Sequence, residues 1–104
     1  MDVASATAGT LFIVSGTNAM DVYSAVNSSP WTAYKFANDE KSVAAMRRYV
    51  AHAIVITAVM NIGGAVIAKS MIPILGAFLA TSYMWWLYED AVERGQKQGS
   101  ESWE

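Results

Sequence analysis

The chain has 104 residues, 54% of them apolar and 15% charged, with a formal net charge of −2 and no cysteine. That length allows one domain at most. The missing cysteine excludes disulfides, thiolate metal sites and cysteine nucleophiles, and a near-neutral balance supplies no basic stripe for nucleic-acid phosphates. Ordinary soluble domains are roughly 45–50% apolar and about 25% charged, so the composition leans toward lipid.

Asp2 follows Met1 directly, without the basic start of a signal peptide. Membrane insertion is therefore expected to use the uncleaved chain. A first helix is expected over residues 3–26. Val3–Met20 carries no charge, but Ser5, Thr7, Gly9, Thr10, Ser15, Gly16, Thr17 and Asn18 dilute it, and only Leu11–Val14 is strongly hydrophobic. A third span and a small-residue packing helix both fit this segment.

A connector follows over 27–40, reading NSSPWTAYKFANDE. Ser29 before Pro30 has the form of an N-cap with proline at the first helical position. Asp39 and Glu40 stand where the first turn of the next helix favours negative charge. Two long helices are then expected over 41–69 and 71–95. Lys69-Ser70 forms the turn between them, and Pro73 lies in the first turn of the second, where its missing N–H costs little. That helix should end near Arg94 or Gln96, leaving 96–104 as a polar tail.

Within these helices, Tyr49–Ala68 is twenty residues and Ser70–Tyr88 nineteen, with Lys69 the only fixed charge between Arg48 and Glu89. Each segment is long enough to cross about 30 Å of hydrocarbon at about 1.5 Å per residue. A soluble helix of that length needs a polar face, and His52, Thr57, Asn61, Thr81 and Ser82 make no such stripe. The expected fold is all-α: an integral-membrane hairpin spanning at about 49–68 and 70–88, preceded by the N-terminal helix. Lys35, Lys41, Arg47 and Arg48 before the first span, with Arg94 and Lys97 after the second, outnumber the single Lys69 in the turn. Both open ends are therefore expected on the interior side. Tyr49, Tyr83, Trp85, Trp86 and Tyr88 fall at that boundary as an interfacial belt.

Small residues recur at helical spacing through Thr57, Asn61 and Gly64 on the first span and Gly76 and Ala80 on the second. Such stripes let helices approach closely when lipid removes the hydrophobic drive. Folding at Lys69-Ser70 should bring Asn61 level with Leu79 and Ala80, and His52 level with Tyr88 near Glu89. Asn61 must find a partner inside the protein. A proton relay would need more titratable groups than His52 supplies. Gly63-Gly64 has neither the preceding strand nor the following Lys-Ser/Thr of a phosphate loop, and one histidine with scattered carboxylates makes no metal site. No catalytic residue, cofactor or small-molecule substrate is expected.

The stretch TNAMDVYSAVNSSPWTAYKFANDEKSVAAMRRYV (Thr17–Val50), with the span pair behind it, resembles small membrane proteins of haloarchaeal viruses and integrated proviruses. The resemblance implies a non-enzymatic structural protein of a virion's internal membrane or of the host membrane. Its partners would be the bilayer, further copies of itself and a viral shell protein. A holin-like pore former and a soluble helical interaction domain remain the alternative readings. Arg47, Arg48, Glu89 and Glu93 gather at the open end of the hairpin, where cross-helix ion pairs are expected. With Trp31 and Trp103 they are the candidates for partner docking.

The hairpin makes a direct prediction in this cysteine-free chain. Cysteine at position 69 and cysteine at position 97 should react with impermeant reagents from opposite sides of a vesicle. Labelling from one side would exclude the hairpin.

Overall fold

The computed structural model describes residues 2–27 and 39–101. Ser29, Pro30, Trp31 and Trp103 lie outside them. Three helices make up the described chain: α1 (Val3–Val26), α2 (Glu40–Ala68) and α3 (Ile72–Glu101). The fold is all-α.

Each helix starts and stops for a local reason. Asp2 caps α1, its carboxylate accepting the Ser5 N–H at 2.7 Å. That bond favours the ionised form and holds the Asp2 pKa below the usual carboxylate range. Asp39 opens α2 and accepts the Ser42 hydroxyl at 2.8 Å, which lowers its pKa in the same way. Both contributions are present above the ordinary carboxylate pKa and fade as pH falls through the lowered value. Helix α2 ends at Lys69, in the left-handed region at φ 52°, and the Ser70 N–H closes the turn on the Ala65 carbonyl at 3.1 Å. Pro73 follows inside the first turn of α3. Helix α3 continues to Glu101, past the end expected near Arg94 or Gln96. Glutamine, lysine and glutamate are good helix formers, and an isolated glycine costs only about 1 kcal/mol.

The helices form an elongated bundle of 59 × 20 × 17 Å in which each packs on both others. Asn18 meets Thr57 and Ser15 meets Asn61, so α1 runs antiparallel to α2. The turn over 69–71 makes α3 antiparallel to α2 as well, and α1 therefore runs parallel to α3. Their ends meet where Arg94 donates to Asn27. Asn27, Asp39 and Arg94 lie at the open end of the α2–α3 hairpin; its other end is closed by the turn at Lys69.

The two halves have opposite polarity. Toward the open end, Val22, Val26, Val50, Met84, Leu87 and Ala91 form an apolar core. Arg47, Arg48, Glu89, Glu93 and Lys97 are exposed around it. Toward the closed end the order inverts. Ser15, Thr57 and Asn61 are buried, at 4%, 0% and 1% exposure, while Phe12, Ile62, Val66, Leu75, Phe78 and Leu79 face outward.

Among the described residues, α2 is the one helix long and apolar enough to cross a membrane. The second segment of the expected hairpin does not reach that standard by composition. Pro73 and the tyrosines and tryptophans of 83–88 lower its hydropathy.

Met84 is fully buried in the open-end core and Phe78 is exposed. Met84→Ala should cost about 2–4 kcal/mol, and Phe78→Ala less than about 0.5 kcal/mol, by thermal unfolding in detergent. Equal losses would mean that the core lies elsewhere.

Candidate functional site: a buried polar seam and an exposed charged end

Leu11, Ser15, Asn18, Val22 and Val26 follow one another at three- or four-residue spacing, so one stripe of α1 faces its neighbours. Three of these side chains meet the small-residue stripe of α2. Asn61 Nδ2 donates to Ser15 Oγ at 2.9 Å and to the Thr57 carbonyl at 2.7 Å. Asn18 Nδ2 donates to Thr57 Oγ1 at 3.1 Å. One turn further on, Leu11 occupies the space above Gly64, with its Cγ 3.3 Å from where a Cβ would stand.

The stripe of Thr57, Asn61 and Gly64 thus joins α2 to α1, beyond the hairpin packing expected of it. Gly76 of α3 borders the same seam, and a Cβ there would stand 4.0 Å from Asn61 Oδ1. Ala80 packs against the open-end core. Leu79, expected level with Asn61, is exposed. Sequence reasoning missed Ser15 and Asn18, treating them as polar dilution of a weak span. Their placement on the stripe of Leu11 and Val22 was the available signal.

The expected aromatic belt divides. Tyr49, Tyr83, Trp85 and Trp86 are exposed, whereas Tyr88 is 6% exposed and belongs to the core. Positions 84, 87, 88 and 91 form the inward stripe of α3, which turns Tyr88 inside. Tyr83 stacks on Trp86 at 6.2 Å between ring centroids, and Trp85 meets Tyr88 at 5.2 Å. Trp85 Nε1 donates to Glu89 at 2.8 Å, joining the aromatic level to the charged one.

At the open end Arg47, Arg48, Glu89 and Glu93 are exposed, yet the expected cross-helix ion pairs among them do not form. Among the described residues the ion pair is Arg94–Asp90, 2.9 Å apart and four residues apart on α3. Neighbours at that spacing pair without any adjustment between helices. Arg94 also donates to Asn27 Oδ1 at 3.0 Å, tying α3 to the end of α1. His52 lies in a shallow groove of about 180 Å³ with Asn18, Asp21 and Tyr49, between α1 and α2. No group of three or more potential metal ligands gathers among the described residues.

Comparison with protein-family models, curated proteins and solved structures finds no match to the chain.

The seam separates two adjacent glycines. A methyl at Gly64 would overlap the Leu11 side chain, whereas Gly63 faces open space. Gly64→Ala should loosen α1 from α2 and cost about 1–3 kcal/mol. Gly63→Ala should be neutral or stabilise by up to about 1 kcal/mol through helix propensity. Thermal unfolding of both variants checks the pair, and equal effects would exclude the α1–α2 contact.

Proposed function

We propose that the chain is a non-enzymatic structural membrane protein whose three helices all cross one bilayer, presenting a charged helical end to a partner. The carrying observation is the inverted polarity of the closed-end half. Phe12, Ile13, Ile62, Val66, Phe78 and Leu79 are exposed there while Ser15, Thr57 and Asn61 are buried. Each large apolar side chain left in water forfeits about 1.5–3 kcal/mol. Six of them forfeit on the order of 10 kcal/mol, comparable with the whole stability of a small domain. In lipid the same surface costs nothing, and close small-residue and amide contacts are what hold helices together.

Helix α1 fits this reading despite its dilution, because Ser15 and Asn18 turn toward α2 and need not meet lipid. Helix α3 fits it because tryptophan and tyrosine, polar by hydropathy, favour the headgroup level. Beyond Tyr49 and Tyr88 the two long helices would project into water. Glu40–Arg48 accounts for about 13 Å and Glu89–Glu101 for about 20 Å, at about 1.5 Å per residue. That projection is the proposed docking surface for a further copy or a shell protein. Assignment to a virion membrane is supported by the likeness of Thr17–Val50 alone.

A structural role is favoured over a pore because of how the seam is closed. Leu11 covers it on one side and Val22 with Met84 on the other, all buried. A single copy offers no polar path along its axis.

Labelling in sealed vesicles tests the three-span arrangement. Ser5→Cys should react from the same side as Lys69→Cys and opposite to Lys97→Cys. Reaction from the Lys97 side would leave α1 uncrossed, and recovery of the chain in the aqueous phase without detergent would overturn the membrane reading altogether.

A further inference from the structure

At the closed end a groove of about 460 Å³ runs between α2 and α3, lined by Ile62, Ala65 and Val66 on one side and Met71 and Ile74 on the other. Lys69 and Ser70 stand at its rim. On the membrane reading just proposed, on which this inference rests, the groove opens to the lipid chains and its rim lies at headgroup level. We infer that it holds one anionic phospholipid, with an acyl chain along the groove and the phosphate against Lys69.

Charge and backbone single out that occupant. Lys69 is the only fixed charge between Arg48 and Glu89. It forms no ion pair among the described residues. The carboxylate at the same end, Asp2, is engaged by the Ser5 N–H at 2.7 Å. Lys69 also occupies the left-handed region at φ 52°, the one non-glycine residue among those described to do so. Glycine adopts that conformation without strain and lysine does not. A position whose backbone favours glycine therefore carries the one side chain that supplies a cation to the groove. The α2 C-terminal carbonyls attract a cation too, but that attraction requires no apolar groove beside it. Ser70 Oγ accepts the Ile72 N–H at 3.2 Å and keeps its own hydroxyl proton for a phosphate oxygen.

The test uses the full chain in nonionic detergent, titrated with phosphatidylglycerol or phosphatidylcholine of matched chains and read by native mass spectrometry. Phosphatidylglycerol should bind about fivefold more tightly, the effect of one lysine near an anionic headgroup. Lys69→Arg should keep the preference and Lys69→Gln should lose it, with helix content unchanged in both. Ala65→Leu, which narrows the groove with Lys69 intact, should weaken both lipids. Equal affinities in the parent chain, a preference that survives Lys69→Gln, or undiminished binding to Ala65→Leu would each overturn the inference. A chain that stays dissolved without detergent would overturn the membrane reading as well; a detergent-requiring chain without lipid preference would overturn the groove alone.

Discussion

The amide of Asn61 is the constraint on which the rest of the bundle turns. It is 1% exposed, and a buried amide without partners costs several kcal/mol in an apolar setting. Both of its N–H groups are used, one on its own helix at the Thr57 carbonyl and one across to Ser15. The second bond requires α1 to lie against α2 with Ser15 at that level. Leu11 then falls opposite position 64, where only a glycine leaves it room. Gly76 of α3 borders Asn61 on the remaining side. Net gain from such a bond between membrane helices averages only about 0.6 kcal/mol. The penalty for breaking it, about 1–3 kcal/mol for a stranded buried group, is what fixes the register.

Below this seam the same three helices are held differently. Val22, Val26, Val50, Met84 and Leu87 bury apolar area in the manner of a water-soluble bundle, with charges outside. Arg94 joins the end of α1 to α3 through Asn27. The exposed Tyr49, Tyr83, Trp85 and Trp86 fall at the level where the two regimes meet. On the proposed reading this is the headgroup level, and the apolar core crosses it, from Met84 on the lipid side to Ala91 on the water side. Hydrophobic burial drives association in water, whereas in lipid only close contact and polar ties remain.

On the proposed reading, the charged end is the part that would meet a partner. Its surface charges are not consumed by cross-helix pairing, since Asp90 and Arg94 satisfy each other on one helix. Arg47, Arg48 and Glu93 stay exposed. Surface ion pairs contribute about 0–1 kcal/mol each, so fold stability does not account for charge concentrated there.

The sequence alone determined the three helices, the turn at Lys69-Ser70 and the confinement of fixed charge, apart from Lys69, to the regions outside 49–88. These follow from local terms: caps, proline position and long runs without breakers. It did not reveal that Tyr88 turns inward while Trp86 does not, nor that the small-residue stripe of α2 meets α1. Those outcomes depend on which face of α1 is buried, and α1 is polar and apolar in turn without a dominant side. Its Ser15 and Asn18 share one stripe with the apolar Leu11, Val22 and Val26. Only the tertiary structure, by supplying Asn61 and Thr57 as hydrogen-bond partners, decided that it faces in.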